Sequence, residues 1–94
     1  MQLVHTGVAG TMESGDIYVE IEQSSGGMSI ELDSTVAAQF GKQIRNVIEQ
    51  TLRGCGVESA NVRAIDKGAL DCTIRARVAA AAYRGADVTE AEWR

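Results

Sequence analysis

Apolar and polar residues alternate twice in the first third of the chain. Over residues 16–23, Ile17, Val19 and Ile21 fall on one side and Tyr18, Glu20 and Glu22 on the other. Period two with one apolar face predicts a half-buried strand. Ser24-Ser25-Gly26-Gly27 follows, a set of residues that suits a flexible turn. Met28, Ile30 and Leu32 then alternate with Ser29, Glu31 and Asp33. The two runs predict an antiparallel hairpin with an apolar inner face.

The period then changes. Val36, Phe40, Ile44, Val47, Ile48 and Leu52 recur at steps of three and four, while Lys42, Arg45, Asn46 and Glu49 lie off that stripe. This spacing predicts one amphipathic helix of about five turns. Asp33 or Ser34 can cap its start, Arg53 suits the negative end of its dipole, and Gly54 and Gly56 supply a stop.

A second hairpin is expected next. Residues 59–65 read as a strand with imperfect alternation, Asp66-Lys67-Gly68 as the turn, and Leu70, Cys72, Ile74 and Ala76 as the inner face of a last strand. On that reading Arg75 and Arg77 share the strand's outer face, with Arg63 and Lys67 in the same hairpin. The alanine-rich stretch 78–83 predicts a short C-terminal helix. Residues 1–10 read as an extended arm with a short strand over 8–12, and 85–94 as a polar tail that frays.

The expected fold is α+β. Two β-hairpins flank one long amphipathic helix, giving a four-stranded, mainly antiparallel sheet with the helix on its apolar face. At 94 residues the chain is expected to form a single domain.

Composition narrows the function classes more than it names one. Hydrophobic residues make up 45% and charged residues 23%, which fits a folded domain rather than disorder. The net charge of -4 argues against nucleic acid, whose phosphates need a basic patch. No apolar run approaches the roughly 20 residues of a membrane span. The first residues lack the basic and apolar regions of a secretory signal. Cytoplasmic location is therefore expected. Cys55 and Cys72 make no C-x-x-C pair and read as two buried, reduced thiols.

Side chains that could carry chemistry are few. One histidine, His5, and two separated cysteines offer no cluster with zinc spacing, so no metal site is expected. No phosphate-binding glycine pattern is present. A Ser14–His5 nucleophile pair requires the arm to fold back onto the serine. Arg75 and Arg77 suit either a solvated face or the binding of a phosphate-rich group. Ser14 lies in Gly10-Thr11-Met12-Glu13-Ser14-Gly15-Asp16, a short polar turn before the first clear strand. A serine on a mobile, exposed turn can enter another enzyme's active site. Its own nucleophilicity is low, so that enzyme must supply the base.

Three stretches resemble the citrate lyase acyl carrier (gamma chain) family. They are residues 9–16 around Ser14, Gln39-Phe40-Gly41 with Ile44-Arg45, and 66–72 running into Ile74-Arg75-Ala76-Arg77. The resemblance implies that Ser14 is joined by a phosphodiester to phosphoribosyl-dephospho-coenzyme A (phosphoribosyl-dephospho-CoA). The thiol of that group would carry acetyl and citryl thioesters between an alpha (transferase) and a beta (lyase) subunit, as citrate is cleaved to acetate and oxaloacetate. A prosthetic-group transferase would attach it. The chain itself would have no catalytic residue and would serve as a tether. Two alternatives stay open: a carrier for citramalate lyase or malonate decarboxylase, and an unmodified interaction module.

Overall fold

A computed structural model describes residues 1–87 of the chain. Six elements follow in order: β1 (Gly7–Gly10), β2 (Ile17–Glu22), β3 (Met28–Ser34), α1 (Ala37–Gly54), β4 (Ala60–Asp66) and α2 (Asp71–Gly85). The strands form one sheet in the order β1-β2-β4-β3. β1 pairs antiparallel with β2, β2 antiparallel with β4, and β3 parallel with β4. The α+β class, the four-stranded and mainly antiparallel sheet, and the long helix are as the sequence predicts.

The pairing differs from two hairpins. β2 and β3 run antiparallel but do not touch, because β4 lies between them. The loop joining them crosses over the start of β4, where Ala60 N–H donates to Gly27 O at 3.1 Å and Gly27 N–H to Ser59 Oγ at 3.3 Å. The central place goes to the strand whose inner face is fully covered: Ala60, Val62 and Ala64 are buried, whereas Met28, Ile30 and Leu32 of β3 are half-buried. β3, α1 and β4 therefore form a parallel crossover unit, which needs a helix-length connection.

The second correction concerns residues 70–77, which are not a strand. Among the alternating residues only Ile74 is buried; Leu70, Cys72 and Ala76 are exposed. The buried set is Ile74, Val78, Ala81, Ala82 and Gly85, a helical spacing. Asp66 supplies the break in direction. Its carboxylate accepts from Gly68 N–H at 3.2 Å and Ala69 N–H at 3.0 Å, so the chain turns out of the sheet. The fourth strand is β1 instead, at 7–10 rather than 8–12.

Register fixes what each face presents. Ile17, Val19 and Ile21 oppose Asp66, Ala64 and Val62, and Ile30 also opposes Val62. With Ala9 and the buried residues of α1 and α2 these make one core on one face of the sheet. The other face is polar: Arg63 stands between Glu20 and Glu31 in neighbouring strands. Both sheet edges are partly closed by arginines from the helix layer. Arg45 donates to Ile30 O, and Arg84 to Val8 O at 2.8 Å. Carbonyls bonded this way cannot template another strand.

Helix α1 starts later than a cap at Asp33 or Ser34 would place it. Val36 is the residue before its first turn and makes no side-chain cap. Ser34 still serves the junction: its hydroxyl accepts from Val36 N–H at 3.2 Å and donates to Asp66 Oδ2 at 2.8 Å.

Residues 1–6 are tied down. Leu3 is buried, Val4 N–H and His5 N–H both donate to Gly85 O, and the terminal amine donates to Gly56 O. β1 lies against α2 so closely that a Cβ on Gly7 would sit 1.8 Å from Ala81 O. Backbone atoms on both sides leave no rotamer to yield. Gly7→Ala is expected to lower stability by about 1–3 kcal/mol, read as a lower urea midpoint at unchanged m. Of the fraying tail expected over 85–94, Gly85 is instead buried at the end of α2, where its carbonyl accepts the bonds from Val4 and His5; residues 88–94 lie outside the described residues.

Candidate functional site

Between β1 and β2 the chain reverses through residues 11–16, with Ser14 at the tip. Gly10 makes the entry possible. It takes φ +92°, and a Cβ there would meet Ile17 O at 1.8 Å, so only glycine fits. The base of the turn is held by hydrogen bonds on both sides. Gly15 N–H donates to Lys67 O at 2.7 Å and Lys67 N–H to Asp16 O at 2.9 Å, extending the β2–β4 ladder. Asp16 N–H donates to Glu13 O at 3.0 Å, and Glu13 N–H to Thr11 Oγ1 at 3.2 Å. The turn is thus anchored, not loosely strung as a mobile loop would be.

Asp16 is the hub. Only 9% exposed, it receives Thr11 Oγ1–H on Oδ2 at 2.7 Å and Ile17 N–H on Oδ1 at 2.7 Å. Arg77 donates to it twice, Nε to Oδ1 at 3.0 Å and Nη2 to Oδ2 at 2.9 Å. This bidentate geometry is the strong form of the pair. The Arg77 guanidinium, with the Thr11 and Ile17 donors, holds the Asp16 carboxyl well below the usual carboxylate range, against a smaller opposing effect of burial. Arg77 in turn is pushed up by the carboxylate.

Ser14 itself differs from everything around it. It is exposed, and its hydroxyl makes no hydrogen bond among the described residues. The flanking space is open: a Cβ on Gly15 or on Gly68 across the turn would meet nothing within 4 Å. A buried or bonded serine would have to break contacts to react; this one has no side-chain hydrogen bond to break among the described residues. The surroundings therefore fit a bulky covalent group on Ser14 Oγ. The charge balance fits as well, since Arg77 neutralises the aspartate two residues from the serine.

The other candidates are dispersed. His5 precedes β1 and Ser14 follows it, so four extended residues, about 13 Å, separate them. The His5 ring bonds Arg84 O at 2.8 Å instead, and the two do not form a nucleophile pair. Arg75 and Arg77 lie on helix α2, not on a strand face. Two positions apart on a helix, they do not face each other; Arg75 is exposed and Arg77 is bound to Asp16. Arg63 is on the polar face of the sheet, so these residues make no shared phosphate site. The thiols also depart from expectation. Both are free, but Cys55 is half-buried and Cys72 exposed, because Cys72 sits on the outer side of α2 rather than inside a hairpin. Among the described residues no cluster of His, Cys, Asp or Glu could hold a metal ion, and no helix is long and apolar enough to cross a membrane.

The acyl carrier family model described as malonate decarboxylase delta subunit (MdcD) matches residues 4–85. Citrate lyase acyl carrier proteins of Streptococcus mutans and Lacticaseibacillus casei are each 50% identical to this chain, covering 100% and 99% of it and 93% and 92% of their own lengths. That of Streptococcus uberis is 47% identical over 94 residues, 100% of this chain and 93% of the relative. This chain belongs to the citrate lyase acyl carrier protein family. It is a carrier subunit and not a catalyst on its own. Membership implies a covalently attached prosthetic group and a complex with partner subunits. The carrier's fold recurs in a chain of a Pseudomonas malonate decarboxylase hetero-tetramer solved with malonate. That match has a TM-score of 0.68 at 21% identity and covers 89% of this chain and 82% of that one.

Proposed function

We propose that Ser14 is the attachment point of phosphoribosyl-dephospho-coenzyme A, and that the loaded carrier serves the alpha and beta subunits of citrate lyase in turn. The observation that carries this reading is the state of the Ser14 hydroxyl: exposed, without a hydrogen bond among the described residues, and at the tip of a turn whose base is anchored. Attachment forms a bond from Ser14 Oγ to phosphorus while an activating leaving group departs from phosphorus with the electron pair. A base on the prosthetic-group transferase takes the serine proton. When bound, the group supplies a thiol on a long arm, on which an acyl unit travels between active sites. The carrier's own contributions are physical. Its anchored turn presents the serine in one place, Arg77 offsets the Asp16 charge near the new phosphodiester, and the tether raises the local concentration of thioester at each partner.

Intact mass tests this directly. After co-expression with the prosthetic-group transferase of its source, the chain is expected to gain one phosphoribosyl-dephospho-coenzyme A, mapped to the Ser14 peptide and absent from Ser14→Ala. An unmodified chain beside a transferase active on a known carrier would overturn the reading in favour of an unmodified interaction module.

A second reading, service to malonate decarboxylase, draws on the description of the matching family model. Reconstitution separates the two. Citrate cleavage restored with citrate lyase alpha and beta subunits, and no malonate decarboxylation with the other set, is the expected result.

A further inference from the structure

Beside the Ser14 turn lies a groove of about 400 Å³ between the first turns of α1 and the β4–α2 loop. Its walls are Val36, Phe40 and Ile44 on one side and Ala69 and Leu70 on the other. Phe40, the only phenylalanine in the chain, is 47% exposed, and Leu70 is 72% exposed. Single exposed apolar side chains are ordinary. An exposed aromatic ring and an exposed leucine lining the same concavity from two elements are not, and its size falls within the range of small-molecule sites.

The rim is polar at one end. Gln43 Nε2 donates to Asp71 Oδ2 at 2.9 Å, tying α1 to α2. Gln43 and Asp71 both line the groove, and Gln43 Oε1 and Asp71 Oδ1 take no hydrogen bond among the described residues, which leaves two acceptors at this end. Gly68 links the groove to the turn that bears Ser14: it lines the groove, and the preceding residue, Lys67, bonds Gly15 across the ladder.

We propose that this groove seats the adenine ring of the nucleotide-containing group carried on Ser14, with the base against Phe40 and Leu70 and its amino group toward Gln43 and Asp71. The inference rests on the attachment read above. Three features select the base over other parts of the group. Flat aromatic bases gain most from an aromatic side chain with an aliphatic wall opposite. The unspent acceptors match an exocyclic amino donor. A base joined to the serine through a phosphodiester and a short run of sugar stays near the turn, whereas the thiol end of the arm extends far beyond it. Tethering makes the encounter intramolecular, so weak intrinsic affinity suffices for occupancy. Seating the nucleotide leaves only the outer part of the arm to swing, which shortens the volume the thiol searches between partners.

Nuclear magnetic resonance on the loaded carrier tests this, with the mass of the Ser14 peptide read first on the same sample. Expected are upfield-shifted adenine ring protons with nuclear Overhauser effects to the Phe40 ring and Leu70 methyls. Both signals should vanish in Phe40→Ala while its mass still shows the loaded serine. Adenine protons at free-nucleotide positions on a fully loaded carrier would overturn the inference and leave the attachment intact. So would groove contacts made only by the aliphatic arm, or changes at Phe40 and Leu70 that arise only when a partner subunit is added. A sample unloaded by an active transferase would remove the attachment and the inference together, and the mass identifies that case before any spectrum.

Discussion

Ser14→Ala is expected to leave the carrier folded and the reconstituted complex without measurable citrate cleavage. The two halves of this result have separate physical grounds. Stability is indifferent because the hydroxyl is exposed and bonded to nothing among the described residues. A surface change of that kind moves unfolding free energy by no more than about 0.5 kcal/mol. Activity is lost entirely on the carrier reading because the attachment is a single bond to Ser14 Oγ, and alanine offers no oxygen in its place. Thr11 hydroxyl is committed to Asp16 at 2.7 Å, so it is not a substitute. The check is a urea denaturation curve beside a citrate cleavage assay with alpha and beta subunits. An unchanged midpoint with full activity would sink the carrier role of this serine. A lowered midpoint would show that the hydroxyl has a structural partner.

The central helix and strand β2 are plain in the sequence because each repeats its own period over enough residues. Residues 70–76 show the limit of that signal. Leu70, Cys72, Ile74 and Ala76 alternate cleanly, yet the pattern is short, and a short apolar run fits strand or helix. What decides is outside the run. Asp66 ties up the N–H groups of Gly68 and Ala69, and Ile74, Val78, Ala81 and Ala82 then supply the buried helical stripe. Alanine at 81 and 82 hides this stripe from a hydrophobicity pattern, since a small side chain reads as neutral. It is required there, because α2 approaches the backbone of β1 at Gly7.

Strand order is illegible for a different reason. Alternation states which face of a strand is buried, not which neighbour it pairs with. β2 and β3 would present the same apolar faces whether paired to each other or parted by β4. At the site, Ser14 could be singled out only through its neighbours' resemblance to a family. Asp16 and Arg77, which hold its turn, are out of reach of a sequence pattern: 61 residues separate them, and by spacing alone Arg77 is one of several cations that suit a solvated face. The one local hint is Thr11, placed to bond an aspartate five residues on.

That pair sets the other large effect. Asp16→Asn is expected to cost about 2–3 kcal/mol at pH 7, with the loss shrinking as pH falls. Removing the charge strips Arg77 of its bidentate partner and weakens the bonds from Thr11 and Ile17. A carboxylate held this way is worth more than an exposed ion pair, though the partial exposure of Arg77 keeps the figure below that of a fully buried one. The pH sign follows from the depressed folded-state pKa. In the unfolded chain an aspartate titrates near about 3.9, so above that value both states are ionised and the native contribution is fully present. As pH drops through it, the unfolded chain takes up a proton that the folded one resists, and stability is lost progressively. The wild-type and Asp16→Asn urea midpoints should therefore differ most at neutral pH, draw closer as pH falls below about 4, and meet only below the depressed folded-state value. Arg77→Gln should behave the same way with a smaller loss, since it leaves the carboxylate with two of its donors. The turn carries the consequence for function: with its hub weakened, Ser14 samples more positions, and the transferase should load Asp16→Asn more slowly even at neutral pH where the variant is still folded. A difference between the midpoints that stays constant from pH 7 to pH 3 would show that Asp16 ionisation contributes nothing to holding the turn.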